Sequence, residues 1–118
     1  MLMHHHLRVL SLSLVLILSA CAATPQPREP SKDEVTAAEL PLMSCVEREA
    51  RLLDHRSSSA ESIAKDAVFY CEDSRRDVVG QLELLGGPDG FVDRSMRQID
   101  NDAFNDAVAT VLQRRQQT

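Results

Sequence analysis

The chain reads as an all-α protein, a small helical hairpin closed by a disulfide with additional helix following it. Three observations carry this. Apolar residues recur near 3.6-residue spacing in successive stretches, and no run alternates with period two for long enough to be a strand. Ser31-Lys32-Asp33-Glu34, Ser44-Cys45-Val46-Glu47 and Ser58-Ser59-Ala60-Glu61 each have the capping-box form, a hydroxyl followed three residues later by a glutamate. Glu47–Arg51, Glu61–Lys65, Glu72–Arg76 and Asp93–Arg97 each place an acid four residues before a base, the orientation that supports a helix by a few tenths of a kcal/mol.

Taken in order, the first box predicts a short helix from Ser31 that fails around Leu40, before Pro41. The second box opens a helix with the stripe Leu42, Cys45, Val46, Ala50 and Leu53. His55 to Ser59 form a turn, with Ser58 as the next cap. The following helix carries Ala60, Ile63, Ala64, Ala67 and Cys71 on one face and continues through Val78, Leu82 and Leu85. Ser74, Arg75 and Gly80 weaken its middle, which predicts a kink there. Gly86-Gly87-Pro88-Asp89-Gly90 breaks it. Val92, Met96, Ile99, Ala103, Ala107 and Val111 then hold helical spacing, widened by Phe104, Val108 and Leu112. The polar run Asp100-Asn101-Asp102 leaves open whether residues 91–115 form one helix or two.

The two cysteines of this region, Cys45 and Cys71, stand about equally far on either side of the Ser-rich turn. An antiparallel hairpin brings them to one height, so a Cys45–Cys71 disulfide is expected; two buried free thiols are the alternative. A zinc site lacks a fourth ligand beside Cys45, His55 and Cys71, and a redox-active C-x-x-C pair is absent from the sequence. With Phe69, Tyr70, Phe91 and Phe104 as its only aromatics, the core is thin. A covalent staple would help it.

The N-terminus has a different character. Val9 to Ala20 is an apolar run about 18 Å long as a helix, too short for a membrane span, with Arg8 before it. It ends in Leu18-Ser19-Ala20-Cys21. This stretch resembles the lipobox of bacterial lipoproteins, which implies a signal peptide over residues 1–20 and a diacylglyceryl group on the Cys21 sulfur. An ordinary secretory cleavage at the A-x-A-like Ala20-Cys21-Ala22 is the alternative. Residues 21–31, with Pro25, Pro27 and Pro30, read as the lipidated cysteine and an extended tether of some 30 Å; residues 32–118 read as the helical domain. The resemblance implies a membrane partner through the lipid. Ala22 after the cysteine, where an aspartate would retain a lipoprotein in the inner membrane, implies the outer membrane facing the periplasm. The hairpin over residues 45–71, with Cys45-Val46-Glu47-Arg48, the Ser-rich turn and Ala60-x-x-Ile63-Ala64-x-x-Ala67-Val68-x-x-Cys71, is similar to one found among small uncharacterised exported proteobacterial proteins. That likeness implies no activity.

The net charge of the whole chain is −5, and residues 1–20 hold only one charged side chain, Arg8. The remainder is therefore more acidic still and has no basic block, which disfavours nucleic acid and anionic headgroups as direct partners. No catalytic, cofactor or metal constellation is expected. Asp100-Asn101-Asp102 begins like a calcium loop but has Phe104 where an oxygen is needed. Ser57 to Ser59 are explained by capping, and His55 by the negative end of the helix before it. The expectation is a non-enzymatic accessory or scaffold protein that binds another envelope protein, through Phe91, Met96 and Phe104 if these do not all fit inside. The alternative is a small-ligand binder or hydrolase with a pocket between helices, using His55 or aspartates.

Overall fold

The computed structural model describes residues 25–118; Cys21, its signal run and the first part of the tether lie outside the described residues. Four helices follow in order: α1 (Lys32–Leu53), α2 (Ala60–Tyr70), α3 (Glu72–Leu85) and α4 (Phe91–Gln116). The domain is all-α, and Cys45 and Cys71 are joined with their Cα atoms 5.9 Å apart. Arg115 meets Asp54 at one end while Arg94 stands 3.9 Å from Glu29 at the other, so α1 and α4 run in the same direction. Helices α2 and α3 together make the returning leg. The result is a three-legged bundle whose middle leg is broken at Cys71.

The Ser31 box starts α1 as its sequence implies. The Ser31 hydroxyl accepts from the Glu34 N–H at 3.2 Å, and the Ser31 N–H donates to the Glu34 carboxylate at 2.6 Å. Arg28 reaches the same carboxylate at 3.0 Å, and Pro30 is buried, so the last residues of the expected tether are held against the bundle. The helix does not fail at Leu40; it runs through Pro41 to Leu53, and Ser44 lies inside it instead of opening a second helix. Proline removes a single bond, to the Ala37 carbonyl, and both Ala37 and Pro41 are exposed. Burial of Leu42, Cys45 and Val46 directly after the proline outweighs that loss.

At the turn the cap is Ser59, one residue later than expected, with its hydroxyl accepting from the Ser62 N–H at 3.1 Å. The interruption of the returning leg is also displaced. Cys71 leaves helical geometry (φ −98°, ψ 17°), while Ser74, Arg75 and Gly80 sit inside an unbroken α3. Its N–H is shared between the Ala67 and Val68 carbonyls, and its carbonyl receives the Arg75 N–H at 3.0 Å to restart the helix. The disulfide holds this residue against α1, and α3 leaves the junction packed mainly on α1 and tied to α4 by Arg75 and Asp100. Gly86 ends α3 in the left-handed region, φ 67°. A Cβ at Gly80 would meet nothing within 4 Å. Gly80→Ala is therefore expected to raise the midpoint of urea unfolding, by about 0.5–1 kcal/mol in stability.

Residues 91–116 form one helix. The polar run does not split it because its side chains are satisfied outside the ladder. Asp100 takes Arg75 at 2.7 and 2.8 Å, and Asp102 accepts from Gln98 at 2.8 Å. Ile99 and Ala103 anchor the run on the core side. Alanines line much of the seam, with Ala50, Ala64, Ala67, Ala103 and Ala107 fully buried, so the helices approach closely. Leu42, Val46, Val78, Leu82, Ile99 and Val111 fill the remainder. Phe91 and Met96 are buried in this core and Phe104 is half-buried, which corrects the expectation that they form an outward contact face.

Candidate functional site

The stripe Ala60, Ile63, Ala64, Ala67 turns one side of α2 inward, and Phe69 and Tyr70 fall off that stripe at the helix end. Phe69 is 77% exposed and Tyr70 63%, their rings edge to face with centroids 5.9 Å apart. They stand directly before Cys71, so the disulfide fixes the backbone that carries them. Half of the chain's four aromatics are thus held on the surface of a domain short of apolar volume. The signal was legible: the same spacing that assigns Ala67 and Cys71 to the core assigns Phe69 to the opposite side. The pair is hydrophobic and presented rigidly, with the phenol of Tyr70 free to take a hydrogen bond. That suits a protein contact.

A second feature had no local signal, because its two members are far apart in sequence. Glu47 of α1 and Asp106 of α4 meet in an open groove of about 450 Å³ that also includes Arg51, Thr110 and Arg114. Burial, then a hydrogen bond with Glu47 and the negative charge of Glu47, raise the Asp106 carboxyl to about 6, with Arg51 acting in the opposite direction. Arg51 pairs with Glu47 at 3.3 Å, and Arg114 donates to the Arg51 carbonyl at 2.5 Å. Native Asp106 holds its proton more tightly than the unfolded chain does. Its contribution to stability is therefore full at pH values below about 4 and is lost as pH rises through about 6. Asp106→Asn is expected to melt a few degrees higher than the parent at pH 7.5, with the difference closing near pH 4. Equal melting differences at both pH values would remove the pair as its cause. Glu34 acts with the opposite sign: the Ser31 N–H and Arg28 lower its pKa, so its contribution is present above the ordinary glutamate range and fades in acid.

The sequence candidates are not gathered at either place. His55 is exposed on the α1–α2 turn, where its N–H donates to the Leu53 carbonyl at 2.8 Å, and it does not line the carboxylate groove. Ser59 caps α2. Asp100 is occupied by Arg75, whose own charge is strengthened chiefly by that hydrogen bond. Among the described residues no group of three or more His, Cys, Asp or Glu side chains could hold a metal ion, and no helix is long and apolar enough to cross a membrane. The chain matches no protein-family model, and no curated protein or solved structure gives a significant match.

Proposed function

We propose that this protein is a lipid-anchored accessory or scaffold protein of the bacterial cell envelope, which offers a helical face to another envelope protein. The observation that carries the partner-binding reading is the exposed Phe69–Tyr70 pair on a disulfide-pinned backbone. The anchor is argued from Leu18-Ser19-Ala20-Cys21 at the end of a short apolar run, and the outer-membrane placement from Ala22. The acidic balance of the domain fits attachment through acyl chains better than through headgroup contacts. The Glu47–Asp106 pair is what favours the alternative of a small-ligand binder or hydrolase. No histidine, serine or cysteine lines its groove to act with the two carboxylates, so the accessory reading is preferred.

Two measurements test it. Labelled palmitate is expected to enter the wild-type chain, and Cys21→Ala is expected to accumulate as precursor; normal maturation of that variant removes the anchor. A photo-crosslinking amino acid in place of Tyr70, expressed in intact cells, is expected to give one discrete adduct with an envelope protein. The same probe at exposed Ser57 should not. Absence of an adduct at position 70, or equal adducts at both positions, would overturn the partner reading.

A further inference from the structure

We infer that the Cys45–Cys71 bond bends a helix that the sequence would otherwise make straight. Residues 60–85 form two helices while the bond is closed and one helix without it. This inference rests on the described residues alone, and not on the lipid anchor or on the Phe69–Tyr70 surface.

Nothing in the local sequence breaks the returning leg at Cys71. No proline or glycine occurs from Ala60 to Val79. Sharp bends in helices almost always fall on such residues, or where another group enters the hydrogen-bond ladder. Ser74, Arg75 and Gly80, whose composition favours a break, lie within α3. The apolar stripe also keeps one phase through the junction. Ala60, Ala67, Val78 and Leu85 follow one another by close to two, three and two helical turns, so a straight helix would carry all four on one face. Such a helix from Ala60 to Leu85 would equal α4 in length, 26 residues.

The backbone at the junction is that of a helix interrupted, not ended. Cys71 keeps the helical pattern on both sides: its N–H donates to the Ala67 carbonyl at 3.2 Å, and its carbonyl accepts from the Arg75 N–H at 3.0 Å. Between these two bonds the ladder is open. Among the described residues, the N–H groups of Glu72, Asp73 and Ser74 reach no carbonyl of α2, and no side chain caps them. A gap of this kind is unfavourable where the stripe runs on in phase, so something must hold it open. The one disulfide among the described residues meets the leg at the very residue that leaves helical geometry (φ −98°, ψ 17°). Arg75 and Asp100, 2.7 Å apart, brace α3 against α4 one turn further on. They follow the bend and do not make it.

Amide exchange, followed by NMR on the full chain in a mild detergent, tests this. In the wild-type chain the Glu72, Asp73 and Ser74 amides are expected to exchange at least about tenfold faster than the Val78 amide. In Cys45→Ala/Cys71→Ala they are expected to slow to about the Val78 rate, whereas simple loss of a crosslink would speed exchange throughout. Cys45→Val/Cys71→Ala, which fills more of the buried space, should behave alike. Nitroxides on genetically encoded ketone side chains at exposed positions 65 and 83 should move apart in both bond-free variants. Their separation should approach about 27 Å, the straight-helix value at ~1.5 Å per residue. Arg75→Met, which keeps the bond, should leave the three amides open. Slow amides in the wild type, or three fast amides or an unchanged 65–83 distance in both bond-free variants, would overturn the proposal. So would closure of the gap in Arg75→Met, or failure of both bond-free variants to fold. Loss of the position-70 adduct bears only on the envelope-partner reading.

Discussion

Replacing Cys45 and Cys71 together by alanine is expected to lower the stability of the bundle by about 3.5 kcal/mol, read as a fall in the urea midpoint. The figure follows from the chain-entropy model for a crosslink between residues 26 apart. Two features of this fold argue that the native state loses support as well. The bridge closes at the junction where the returning leg leaves helical geometry, and α3 beyond it packs mainly on α1, the helix at the other end of the bridge. The reduced wild-type protein should behave like the double variant to within a few tenths of a kcal/mol. A loss below about 1 kcal/mol would show that apolar packing alone sets the junction.

The second large effect is expected at the other end of the bundle. The Asp54 side chain is only 3% exposed, and Arg115 binds its Oδ1 through Nε at 3.1 Å and Nη2 at 2.7 Å. The same Nη2 donates to the Ser58 carbonyl at 2.7 Å, so one guanidinium joins the last turn of α4 to the end of α1 and to the turn before α2. Arg115→Met removes the partner of an enclosed carboxylate and is expected to cost about 3 kcal/mol. Arg115→Lys should recover only part of it, because one ammonium cannot reproduce the fork. The Asp54→Ala/Arg115→Met double variant should lose less than the Arg115→Met single variant, since no charge is then left stranded. Chemical denaturation of the three variants distinguishes this ion pair from simple packing, which would make the double variant the worst.

These two sites differ in how far the sequence exposes them. The disulfide was legible because Cys45 and Cys71 share the apolar stripes with Val46 and Ala67 and flank a turn at similar distances. The ion pair was not, because Asp54 and Arg115 carry no local pattern and meet only once α4 lies parallel to α1. The same holds for Glu47 and Asp106. Local rules misplaced α1: the restriction before proline and the Ser44 box both favour a boundary at Pro41, but neither weighs the burial of Leu42, Cys45 and Val46 on its far side. The run Asp100-Asn101-Asp102 was ambiguous for a related reason, since Arg75, which occupies Asp100, comes from another helix. Phe91, Met96 and Phe104 were expected to face outward if so small a core could not hold all three, yet Phe91 and Met96 lie inside it. Both are buried, and Phe91 packs beside the turn between α3 and α4.

An odd number of legs has a consequence for how the molecule is threaded. A bundle with an even number returns the chain to the end where it entered; this one, with α2 and α3 counted as a single leg, delivers Thr118 to the end opposite Ser31. Helix α4 spans 26 residues, about 39 Å at ~1.5 Å per residue. Anything joined to the last residue is therefore held at roughly that distance from the entry point, in series with the bundle. Tension applied between the two termini would draw α1 and α4 past each other along their whole length, against the Asp54–Arg115 fork and the alanine seam together.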